Sequence, residues 1–117
     1  MLNVYFAFEG PTAKVLSYFG NTEKAIENLS VNRTAAGKYT CVFLTGRRVN
    51  QNQQPIVQGT SNGRTETVGI CNIIRTNIVF FPNYGAYPYQ ITIDIESYGG
   101  AADPDIIMVA YSQSECI

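Results

Sequence analysis

The sequence contains no histidine and no tryptophan, and it has only three cysteines in 117 residues. Without histidine, the nucleophile–base pairs of serine and cysteine hydrolases lose their usual base, and no Gly-x-Ser-x-Gly turn is present to hold a nucleophile. Mixed Cys/His zinc sites are excluded by the same absence, and Cys41, Cys71 and Cys116 have none of the close spacings that a thiolate cluster needs. Cys41 and Cys71 fall inside apolar patterns and read as small buried hydrophobes. An odd count, with Cys116 one residue from the C-terminus, points to reduced thiols. Charge is scarce too. Charged residues make up 15% of the chain, against a usual ~25%. With 8 Lys and Arg against 9 Asp and Glu, the net charge of −1 leaves no basic footprint for a nucleic-acid backbone. The basic doublet Arg47-Arg48 follows Gly46 and reads as a solvated loop end. No apolar run approaches the ~18 residues of a membrane helix. The segment from Met1 to Glu9 lacks the basic start of a signal peptide and reaches its acid too early, so a chain made in the cytoplasm is expected.

What the sequence does have is alternation. Leu2, Val4, Phe6 and Phe8 fall on one side of a first strand that ends at Gly10-Pro11, and residues 13–19 form a second strand closed by Gly20-Asn21. Thr22 to Ala25 allows one helical turn. The segment 26–44 reads as a β-hairpin: Leu29 and Val31 share a face of the first arm, flanked by Glu27 and Arg33. Tyr39, Cys41 and Phe43 share a face of the second arm, and Gly37 supplies the positive φ of the turn. Residues 47–54 read as an exposed polar loop, and Thr60-Ser61-Asn62-Gly63 as a second hairpin turn leading into an alternating segment from Arg64 to Cys71. Asn72 to Phe81 is the most apolar run, which predicts a central strand with a bulge or a break at Thr76-Asn77. Gln90 to Ser97 turns Ile91, Ile93 and Ile95 inward and Thr92, Asp94 and Glu96 outward. Residues 99–104 form a turn before a last strand from Ile106 to Tyr111. Eight or nine short strands without a helix of three turns predict an all-β antiparallel sandwich or barrel, folded as one domain over residues 1–117.

Candidate chemistry is sparse. Asp94 and Glu96 alternate with isoleucines, as carboxylates do on the wet face of a strand, and form no catalytic pair. Asp103-Pro104-Asp105 offers two carboxylates to a hard cation but no third ligand, and a proline-fixed turn accounts for it. Gly99-Gly100 precedes no helix and is no phosphate loop. The sequons at Asn28 and Asn32 would matter only in a secreted eukaryotic protein. No catalytic, cofactor or metal residue is therefore assigned, and a non-enzymatic protein is expected. For recognition, the loop Pro82 to Tyr89 stands out: Tyr84, Tyr87 and Tyr89 are stiff, amphipathic side chains of the kind enriched at interfaces. The first strand, through Leu2 and Val4, and the loop carrying Arg47 and Arg48 are further candidate contacts.

The hairpin also carries a resemblance. Leu29, Ser30, Val31, Arg33, Gly37, Tyr39, Thr40, Val42 and Phe43 match a core phrase of the small β-domains at the ends of tailed-bacteriophage fibres. The segment from Asp103 to Tyr111, an acid followed by an apolar strand, is similar to their closing strand. The resemblance covers about a third of the chain, in residues any stable hairpin would favour. It implies a compact β-sandwich working as a homotrimer on a virion surface, without catalytic residues. Because the chain is already in a strand by Leu2, with no shaft before it, the expectation is a decoration or cement protein bound to the major capsid protein. The alternative is a fibre-tip domain that holds a host glycan or protein on its tyrosine loop.

Overall fold

The alternation along the chain resolves into strands of two antiparallel sheets. The structure, a computed structural model, describes residues 1–62, 69–97 and 103–115. Its strands are β1 (Leu2–Glu9), β2 (Val15–Gly20), β3 (Glu27–Ala35), β4 (Lys38–Thr45), β5 (Ile56–Asn62), β6 (Gly69–Ile70), β7 (Asn72–Phe80), β8 (Tyr89–Glu96) and β9 (Ile106–Gln113). One sheet has the order β2-β1-β9-β5-β6 and the other β3-β4-β8-β7, so the fold is a β-sandwich.

The core follows from the period of two. Leu2, Val4, Phe6 and Phe8 of β1 and Ile107, Val109 and Tyr111 of β9 are buried on the inner face of the first sheet. Tyr39, Cys41 and Phe43 of β4 and Ile91, Ile93 and Ile95 of β8 meet them from the second. Rings bridge the two layers. Phe8 meets Tyr39 edge to face at 5.2 Å between centroids, and Phe43 meets Tyr111 at 5.7 Å. Such pairs contribute about 0.5–1.5 kcal/mol each beyond the burial of their area.

The expected hairpin is present, with Ala35 opposite Lys38 and Gly37 at φ 73°. Its first arm differs from the simple alternation at Asn28, whose φ of 53° belongs to a bulge between Glu27 and Ser30. The extra residue moves Glu27 to the outer face, opposite Leu44, instead of leaving it beside Leu29. β7 is an edge strand, not a central one, and its bulge falls at Ile74 and not at Thr76-Asn77. Apolar content misleads there because the edge leaves Ile74, Val79 and Phe80 exposed, while the central β4 and β8 are kept regular by strict alternation. β5 runs on to Asn62, so Thr60 and Ser61 are strand residues. The rest of that expected turn, the alternation over 64–68, most of the turn at 99–104, and Cys116 lie outside the described residues.

The loop 47–54 is polar and mostly exposed, but it is tied to the sandwich. Val49 is buried and bridges to Glu115, and Gln113 donates from Nε2 to the Asn50 carbonyl at 3.2 Å. Gln113 in turn accepts from the buried Tyr111 hydroxyl, which satisfies a polar group that would otherwise be stranded in the core.

Candidate functional site

A strand has two faces, and once the core takes one the other is left to solvent. On the second sheet, cross-strand rows read Asn32–Thr40–Asp94–Arg75 and Ser30–Val42–Thr92–Asn77. Asp94 accepts from Thr40 Oγ1 at 2.8 Å and from Arg75 Nε at 3.2 Å. That outer face is polar, as the sequence leads one to expect for a wet antiparallel sheet.

The outer face of the first sheet is different. Its rows read Phe19–Tyr5–Ala110–Gln58 and Ser17–Ala7–Met108–Thr60–Ile70. Tyr5 is 47% exposed, Phe19 61%, Met108 55% and Ile56 62%. Tyr5 and Phe19 stack at 6.4 Å, and between them and Met108 lies a trough of about 320 Å³ floored by Ala7, Ser17 and Ala110. Within these strands the charged side chain on this face is Glu9, at one end, where it accepts from Thr12 Oγ1 at 2.8 Å and its N–H donates to the carbonyl of the exposed Lys14. Apolar surface left in water costs about 25 cal/mol per Å² relative to burial, so this face is the candidate interaction surface.

The residues named from the sequence distribute unevenly. Leu2 and Val4 are fully buried and face the core, which corrects their assignment as contacts. The side of β1 that the sandwich leaves uncovered carries Asn3, Tyr5 and Ala7. Tyr89 is also buried, packed against Phe80 at 5.2 Å, and belongs to β8 and not to the loop. Tyr84, which ends a short 3-10 turn over Pro82–Tyr84, and Tyr87 beyond it are exposed. Arg48 lies over the Tyr87 ring at 5.8 Å, and Arg47 is held by Glu115 at 2.8 Å. The tyrosine loop thus meets the arginine doublet beside a second concavity, of about 260 Å³, whose rim includes Lys24, Glu27 and Asn28.

The hairpin residues and the acid before the last strand, far apart in sequence, converge on one carboxylate. Asp103 Oδ1 accepts from the Gly37 backbone N–H and the Tyr39 hydroxyl, each at 2.8 Å, and Arg33 Nε donates to Oδ2 at 2.9 Å. The Arg33 hydrogen bond, helped by those from Gly37 and Tyr39, holds the Asp103 carboxyl down to about 2 from an ordinary 3.8. Burial, and then the Asp103 hydrogen bond, push the Tyr39 phenol up. All three donors are satisfied within the fold, so the cluster locks the hairpin to the approach of β9 and is no ligand site. No group of three or more metal-ligating side chains is present among the described residues.

The family model described as Coxiella burnetii protein of unknown function (DUF807) matches residues 1–117. The chain belongs to that family. No curated protein and no solved structure matches it. For this member of DUF807, the two-faced first sheet is the feature the core does not explain. It was open to discovery in the sequence, since β1 and β9 carry apolar residues at both parities: Tyr5 and Ala7 beside Phe6 and Phe8, Met108 and Ala110 beside Val109 and Tyr111.

Proposed function

We propose that the protein is a structural adhesion module, which works by burying the outer face of its first sheet against another subunit and carries out no catalytic step. The observation that supports this is the contrast between the two outer faces: one polar and ion-paired, the other nearly uncharged with exposed aromatic rings. Four strands and a partial fifth, ~4.8 Å apart and about eight residues long at ~3.3 Å each, present a face on the order of 600 Å². Covering it raises the stability of the assembled state by mass action. The hairpin resemblance supports the more specific form of this reading, a small homotrimeric decoration or cement protein on a bacteriophage virion. The family description names a bacterium and no activity, so the virion setting rests on the resemblance of the hairpin and the closing strand alone.

Radical footprinting tests the reading. Met108 and Tyr5 should be several-fold less reactive in the cells or particles that carry the protein than in purified protein at high dilution. Equal reactivity would refute the reading. Binding to undecorated capsids, with a gain in their heat resistance, is the outcome expected of the virion form, and failure to bind removes that form.

A second reading draws on the exposed Tyr84 and Tyr87 beside the polar rim of Lys24, Glu27 and Asn28. An aromatic platform with nearby amide and charged groups suits a sugar ring, as in a receptor-binding domain. If Tyr87→Ala leaves glycan binding or host adsorption unchanged, that reading is wrong.

A further inference from the structure

We infer that the occupant of the first sheet's outer face is a second copy of this chain, packed face to face about a two-fold axis that runs across the strands. The inference rests on the adhesion reading, names its partner, and puts a two-fold dimer in place of the homotrimer that the hairpin resemblance implies.

Register carries the argument. The two central rows of the face, taken over β2, β1, β9 and β5, are Phe19–Tyr5–Ala110–Gln58 and Ser17–Ala7–Met108–Thr60. A two-fold axis lying between these rows, in the plane of the interface and perpendicular to the strands, keeps the order of strands and exchanges the rows. Phe19 of one copy then lies over Ser17 of the other, Tyr5 over Ala7, Met108 over Ala110, and Gln58 over Thr60. Each of the four positions sets a larger side chain against a smaller one. The trough floored by Ala7, Ser17 and Ala110 is thus the complement of the ridge formed by Tyr5 and Phe19. Such interdigitation is what two sheets packed ~10 Å apart require.

Charge agrees with shape. An unlike partner recognised by charge has little to read on a face whose strand residues carry one carboxylate, Glu9, with Lys14 across from it at the same end. A copy meets no repulsion, because the axis sends the two Glu9 side chains to opposite ends of the interface. There each lies toward Asn3 of the other copy, across the neighbouring outer rows, and Asn3 brings an amide donor. One self-complementary patch closes as a two-fold dimer, whereas a trimer needs two unlike patches on each subunit. Two faces on the order of 600 Å² bury about 1,200 Å² in total, which reaches the lower bound of stable, specific interfaces.

Sedimentation equilibrium of the purified full chain should give a dimer. Tyr5→Lys and, separately, Met108→Lys should weaken association at least about a hundredfold, since each buries an unpaired ammonium, while the far-ultraviolet spectrum stays unchanged. Ala7→Glu alone should also be monomeric. Mixed in equal amounts, Tyr5→Lys and Ala7→Glu should restore a heterodimer, because position 5 of one copy lies over position 7 of the other. A wild-type monomer or trimer overturns the inference, as does a dimer that survives both lysine substitutions. A dimer broken by lysine but not restored in the mixture overturns the register. If the wild type is monomeric while Met108 remains protected in its native setting, the dimer is lost and the adhesion reading stands with an unlike partner.

Discussion

Asp103→Ala is the most informative single change to the fold, because it strands two donors at once. The Tyr39 hydroxyl belongs to a buried side chain and donates to this carboxylate, as does the Gly37 N–H in the hairpin turn. Leaving a buried donor unsatisfied costs about 1–3 kcal/mol. Arg33 is exposed enough that its ion pair adds little to this. A total of about 3 kcal/mol follows for the two donors together. Spread over an unfolding entropy of ~2.1 cal/mol/K for each of 117 residues, it lowers the melting temperature by ~10 °C. Asp103→Asn, which keeps one acceptor oxygen, should lose about half as much. The carboxyl is held down to about 2 from an ordinary 3.8, so its stabilisation is fully present above pH 4 and is lost as pH falls through 2. Thermal melts of wild type and Asp103→Asn should therefore converge between those limits. Tyr39→Phe and Asp103→Ala should be less than additive when combined, since both remove the same hydrogen bond. A melting point within ~2 °C of wild type for Asp103→Ala, or strict additivity, refutes the account of the cluster as a lock.

Three further outcomes check the packing. A Cβ at Gly10 would run into the Pro104 carbonyl oxygen, a backbone atom that cannot swing aside, so Gly10→Ala should lose ~2 kcal/mol or more in urea unfolding. Ile93→Ala, at a fully buried position, should cost about 2–5 kcal/mol by the same measurement, and Ile74→Ala, at the exposed edge bulge, less than ~0.5 kcal/mol. Burial, with a smaller contribution from Asp94, pushes the Cys41 thiol up, so alkylation at pH 8 mapped by mass spectrometry should leave it unmodified until denaturant is added.

Much of the fold was legible because strict alternation is a strong constraint. Ile91, Ile93 and Ile95 between Thr92, Asp94 and Glu96 admit one arrangement in a two-layer protein, and the structure has it. Gly37 was legible for a different reason: a two-residue turn needs a left-handed residue, and the chain supplies a glycine there. What failed did so where composition stood in for geometry. The apolar run of β7 was expected at the centre, but sheet position is set by pairing, and a bulge at Ile74 suits an edge. Leu2 and Val4 were named as contacts because they open the chain, yet strand parity alone assigns them to the core with Phe6 and Phe8. The lock on Asp103 was not legible as a cluster, since Arg33, Gly37 and Tyr39 meet it only after some 65 residues of intervening chain return.

Parity also makes the argument for assembly. In a sandwich of two layers each strand has one buried side, and β8 obeys this to the letter with isoleucine inside and acid or hydroxyl outside. β1 and β9 do not. Adjacent in the first sheet, they carry Leu2, Val4, Phe6, Phe8, Ile107, Val109 and Tyr111 inward, and Tyr5, Ala7, Ile106, Met108 and Ala110 outward. Apolar residues on both sides are the pattern of a strand covered on both sides, which in a single sequence signals a central layer. The described residues form two layers, and on the adhesion reading a partner brings the third. In the inferred dimer a second copy brings two, and turns the paired chains into a four-layer stack in which β1 and β9 hold the interior position that their sequences describe.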